Sequence, residues 1–138
     1  MTEFLFGSAR IDSQAGNLGL AVLRVFAGLS LSLAHGLMKF PPPDGFVAAV
    51  AGMGLPAPIV FAWLSALTET VGGLLLAAGL GTRAVAIAIA GNMAVAGVLR
   101  HAADPYDAKE RAFLFLAVAV AFVALGGGRF ALDRWIRR

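Results

Sequence analysis

Cysteine is absent from the 138 residues. Thiol catalysis, disulfides, cysteine-held metals and iron–sulfur clusters are therefore excluded within this chain. Charge is scarce as well: Asp, Glu, Lys and Arg make up 14% of the residues, where soluble proteins average about 25%. Walker and Rossmann signatures are missing, and Gly126, Gly127 and Gly128 follow an apolar helix and read as its stop. Histidine is limited to His35 and His101, which at similar depth give a haem too little to rest on. No metal set is expected.

What is present is apolar. Hydrophobic residues make up 59% of the chain and the mean hydropathy is +0.84, so the long runs lack the polar outer face that a soluble helical bundle needs. The composition is that of an integral membrane protein one domain in size. The net charge of +3 and pI near 10.2 owe much to terminal arginines, a pattern that speaks of topology and not of nucleic acid.

The stretch 56–83 holds a single carboxylate, Glu69, inside an uncharged run long enough to cross a bilayer. An ionisable group at that depth costs roughly 2.5 to 3.5 kcal/mol on insertion scales, so it must face protein or water and have a partner. Before it, 1–16 is a mixed polar leader. A first helix follows over 17–38, with Asn17 as its N-cap. Arg24, Gly28, Ser32, His35 and Lys39 are spaced so that all fall on one face of it.

Pro41, Pro42 and Pro43 end that helix. Asp44 then N-caps a segment over 45–53, too short to span and expected at the interface or as a re-entrant elbow. Helix 2 follows with Ser65, Glu69, Gly72 and Leu76 on one face. Helix 3 covers 83–103 with Asn92 at its centre, and helix 4 covers 107–125. The expectation is an all-α integral membrane antiparallel four-helix bundle over 17–128, followed by a basic tail over 129–138.

Arg10, Arg83, Arg129, Arg134, Arg137 and Arg138 on the side of the termini outnumber Lys39, Arg100, Lys109 and Arg111 on the other. By the positive-inside rule both termini are cytoplasmic, with Trp135 and Tyr106 at opposite interfaces. Counting ~1.5 Å per residue puts Arg24 ~10 Å and Glu69 and Asn92 ~15 Å from the cytoplasmic face. Arg24 is thus expected to neutralise Glu69, with Asn92 completing the hydrogen bonds. The same cluster could equally serve only to fix helix register.

A second polar layer at the far helix ends holds His35, Lys39, Arg100, His101 and Glu110. With Asn92 and Arg100 on one face, the two layers could line one cavity. For Lys39, Lys109 and Arg111 the competing reading is snorkelling to the headgroups. The candidate ligand-binding residues are Arg24, His35, Lys39, Glu69, Asn92, Arg100 and Glu110, with no catalytic residue assigned. Small residues on helix 3 leave a face for a homodimer.

Together these segments resemble the DoxX family of small four-helix bacterial membrane proteins. The resemblance rests on LRVFAGLSLSLAHGLMKF with Arg24, His35, Gly36 and Lys39, on GLPAP, on TETVGGLLLAAGLGTR around Glu69, on Asn92 and Met93, on Glu110, and on GGGRFALD ending at Asp133. It implies a plasma-membrane protein often labelled an oxidoreductase, because the family is similar to a membrane subunit of thiosulfate:quinone oxidoreductase. The redox label implies a quinone as ligand and a redox protein as partner. The competing expectation is a membrane scaffold or small-solute carrier with no redox chemistry of its own, since the chain leaves no room for a separate catalytic module.

Overall fold

Apolar runs of this length fold as helices because a helix satisfies its backbone N–H and C=O groups within one segment, without water. In the computed structural model, which describes residues 7–136, all regular structure is helical and no strand occurs among the described residues. We number the helices α1 (Gln14–Lys39), α2 (Asp44–Ala51), α3 (Pro58–Ala78), α4 (Thr82–Arg100), α5 (Tyr106–Leu125) and α6 (Asp133–Ile136). Residues 1–6 of the leader, and Arg137 and Arg138 of the basic tail, lie outside the described residues.

Three of these helices, α1, α3 and α4, are long and apolar enough to cross a membrane. In α5 the opening turns carry Asp107, Lys109, Glu110 and Arg111, and it is not among them. Large apolar side chains point outward along α1, with Phe26 and Met38 more than two-thirds exposed. That is the surface a lipid-facing helix presents.

The elements pack in pairs. α1 lies against α3, α3 against α4, α4 against α5, and α2 lies on α3. Leu31, Leu76, Ile89, Met93 and Phe122 form the buried core among α1, α3, α4 and α5. The α1–α3 seam is set by glycine. A Cβ on Gly28 would stand 2.5 Å from the Gly73 carbonyl oxygen, and one on Gly73 would stand 2.7 Å from the Gly28 carbonyl oxygen. Lipid gives no hydrophobic drive for helix association, so backbones pressed this closely supply dispersion contact in its place.

Helix ends follow local chemistry. Ser13, and not Asn17, caps α1: its hydroxyl accepts from the Gly16 N–H at 3.1 Å. Asn17 instead turns inward, donating to the carbonyls of Ile11 and Ser13 at 2.7 and 2.9 Å and accepting from the Arg129 N–H at 3.0 Å. Asp44 is the first residue of α2, behind Pro43. α3 ends where Gly79 takes a left-handed φ of 73° and its N–H turns back to the carbonyls of Leu75 and Leu76.

The segment after α5 folds back over this end of the molecule. Leu132 and Asp133 donate backbone bonds to the carbonyls of Ala78 and Gly79. The Asp133 carboxylate accepts from the N–H groups of Gly81 and Thr82 at 2.6 and 2.9 Å, capping the start of α4 from a distant part of the chain. The leader joins the same knot: Ala9 N–H donates to Leu125 O, and Gly128 N–H donates to Ser8 Oγ. The returning segment thus pins the α3–α4 turn, and the leader pins the returning segment.

Candidate functional site

Glu69 is almost completely buried, at 2% exposure. It occupies a π-helical stretch of α3, Thr68–Gly72. Two more such stretches stand beside it: Ser30–Gly36 in α1, which carries His35, and Ala96–Arg100 in α4, which ends on Arg100. A π turn inserts an extra residue and re-aims the side chains around it, and such turns cluster at functional sites.

The partner of Glu69 is Lys39. The ammonium nitrogen lies 2.7 Å from Oε1 and 2.6 Å from Oε2. Asn92 donates its amide to Oε1 at 3.0 Å, and Ser65 Oγ makes a longer contact to the same oxygen at 3.5 Å. Lys39 also sits 5.3 Å from the centroid of the Phe46 ring on α2, within cation–π range. Four helices thus contribute to one cluster, whose acid–base–amide core comes from α1, α3 and α4.

The expected Arg24–Glu69 pair is not formed. Arg24 donates to the carbonyls of Leu76 and Ala77 at 3.0 and 2.5 Å and to that of Phe130 at 3.2 Å. The charge facing it is that of Asp133. The reason is a stagger between helices. The depth count set Asn17 level with the end of α3, whereas Arg24 stands there, a shift of seven residues or ~10 Å. The same shift ends α1 about halfway along α3, so Lys39 meets Glu69 where the count had placed it at a helix end free to snorkel. Lys39 does not snorkel. Arg24 is a structural clamp that closes the carbonyl end of α3 on the returning 126–133 segment.

Two cavities meet at the Glu69–Lys39 pair. The larger, about 610 Å³, lies between α2, α3 and α4, with Phe46, Val50, Phe61 and Val95 among its apolar walls and Lys39, Glu69, Asn92 and Arg100 at its polar end. The smaller, about 130 Å³, lies between α1, α4 and α5 and is bordered by His35, Lys39, Glu69, His101 and Arg111. His35 packs edge-to-face on Phe115 at 5.8 Å. His101 Nδ1 is 2.6 Å from Asp104.

The structure therefore brings five of the seven candidates toward one centre. Lys39, Glu69, Asn92 and Arg100 share the larger cavity, and His35 borders the smaller one beside Lys39 and Glu69. His101, noted only as a helix-end residue, touches both. Glu110 is exposed and borders neither cavity, and Arg24 lies at the other end of α3. Ser65, Phe46 and Arg111 were not among the candidate ligand residues. Ser65 was legible as the residue one turn before Glu69 on the same face, whereas Phe46 reaches the site only through the path of the loop after the prolines.

Helices able to cross a bilayer, closed around a buried carboxylate with an ammonium and an amide set on it, define a helical membrane protein with a polar interior site. The chain belongs to the DoxX family, whose model matches residues 19–102 and so includes Arg24, Lys39, Glu69 and Asn92. It is similar to a protein of Bacillus subtilis (strain 168) named "Putative oxidoreductase CatD", with 31% identity over 120 residues that cover 86% of this chain and 87% of that one. No solved structure matches the chain.

Proposed function

We propose that the chain is a multi-pass subunit of the bacterial inner membrane, four antiparallel spans with both termini cytoplasmic, that binds a small apolar redox carrier of the quinone type in the 610 Å³ cavity. One observation carries this reading: an apolar cavity of that volume, inside the 300–1,000 Å³ range of small-molecule sites, ends on the Glu69 cluster and nowhere else meets a buried charge along its walls. A quinone offers two carbonyl acceptors. The Asn92 amide, the Ser65 hydroxyl and the Lys39 ammonium are donors at the end of the cavity where such a carbonyl would lodge. Arg24 plays no part in this binding, and Glu110 stands outside it.

The cluster also suits proton movement. Glu69 lies between the cavity and the His35 side, and a carboxylate and an imidazole are groups that exchange protons with a reduced carrier. Any thiol step of the pathway would be supplied by a partner protein, since the chain has no cysteine. The name of the Bacillus subtilis relative, an oxidoreductase, accords with such a pathway.

Organic extraction of the purified protein tests the proposal, with bound quinone as the expected result. Substitution Glu69→Ala that left quinone binding unchanged at normal membrane levels would overturn it. A second reading, a scaffold or small-solute carrier without redox chemistry, has one observation in its favour: Lys39 and Asn92 already satisfy Glu69 in the absence of any ligand. A stable protein that yields neither quinone nor flavin on extraction would favour that reading.

A further inference from the structure

The smaller cavity has a composition of its own. Its floor is apolar, made by Leu31, Met93 and Phe115, and its collar is basic, made by His35, Lys39, His101 and Arg111. Ala96, Ala108 and Ala112 leave the space between them open. Of the acids nearby, Glu69 is held by Lys39 and Asn92, and Asp104 is held by His101. Asp107 and Glu110 sit on the same helix as Arg111 but are exposed, and neither is ion-paired with it among the described residues. Arg111 and His35 border the same cavity.

With Lys39 set against Glu69, the Arg111 guanidinium is the charge that no acid lining the cavity balances. A dianion such as sulfate would have to shed a tightly held hydration shell against a floor that offers no hydrogen bond. A monoanion with a small apolar end would set its charge against Arg111 and its body on Leu31 and Phe115. We propose that the 130 Å³ cavity binds a compact monoanion with an apolar end, of which a short-chain carboxylate is the simplest form. This ligand is distinct from the apolar carrier, and the site does not depend on that carrier's identity.

Saturation-transfer NMR on the detergent-purified full chain with propionate as probe tests it, with neutral propionamide as control. Propionate should bind and propionamide should not. Arg111→Gln, at an exposed helical position, should keep the melting curve and weaken propionate at least about tenfold, the loss of one charge-assisted hydrogen bond. Ala108→Leu, filling the cavity without removing charge, should abolish binding. Equal signals for propionate and propionamide, no signal at all, or binding indifferent to either variant would each overturn the site. Quinone extraction from the same samples reads the larger cavity separately, so failure of one proposal is distinguishable from failure of the other.

Discussion

The Lys39 ammonium straddles both carboxylate oxygens of Glu69, at 2.7 and 2.6 Å, from the last turn of α1 to the middle of α3. Lysine is partly open to its surroundings, with 30% of its side chain exposed, while the acid is closed in. The two substitutions are therefore unequal. Lys39→Met strands a carboxylate with only Asn92 and Ser65 beside it and should destabilise by about 2–3 kcal/mol, below the full penalty for breaking a sealed pair. Glu69→Gln leaves an ammonium that can turn outward and should lose about 1 kcal/mol. In the double variant the stranded charge is gone, so the losses should not add. Thermal melts of the four proteins in detergent measure the cycle.

Close approach of α1 and α3 makes a second prediction. Gly28→Ala would drive a methyl group into backbone atoms of Gly73 and Ala77, which cannot swing aside as a side chain can. A loss of about 1–3 kcal/mol is expected from overpacking. Gly45→Ala, in α2 with nothing within 4 Å of the added carbon, should be neutral or gain up to about 1 kcal/mol from helix propensity. Opposite signs from the same chemical change would locate the tight seam.

Arg24 offers a way to separate architecture from binding. Its guanidinium reaches three carbonyls on two segments, a spread that the point charge of lysine cannot reproduce. Arg24→Lys should lower the melting temperature, corresponding to about 1–3 kcal/mol, while affinity for a quinone analogue at the Glu69 cluster stays unchanged. Asp133→Ala, which uncaps α4, should cost about 1–2 kcal/mol. Because the two residues close the same end of the molecule, the pair should again be non-additive.

These contrasts show where sequence was informative. Helix identities and most boundaries were legible because apolar length and proline or glycine stops are local properties. So was the meeting of Glu69 and Asn92, since both lie mid-helix and any neighbouring packing brings them to a similar depth. The identity of the cation was not legible. It depends on the stagger of α1 against α3, which is set by Gly28 against Gly73 and by the returning 126–133 segment, and neither enters a count of residues from a helix end. The π turns escaped for a related reason. They change which side chains face inward without leaving a mark in hydropathy, and they occur in all three helices that surround the acid.

The larger cavity can be closed without touching its polar end. Gly91 lies on its α4 wall, exposed, with open space where a Cβ would go. Leucine there would fit the helix, improve its propensity by about 0.8 kcal/mol, and fill part of the apolar volume while leaving Lys39, Glu69 and Asn92 in place. Gly91→Leu should therefore melt at or above the wild-type temperature and yet lose quinone carried through purification. A variant that kept both its stability and its extractable quinone would show that the ligand enters elsewhere. Loss of quinone with an intact fold would tie occupancy to this space, because steric exclusion is the only property the substitution changes near the site.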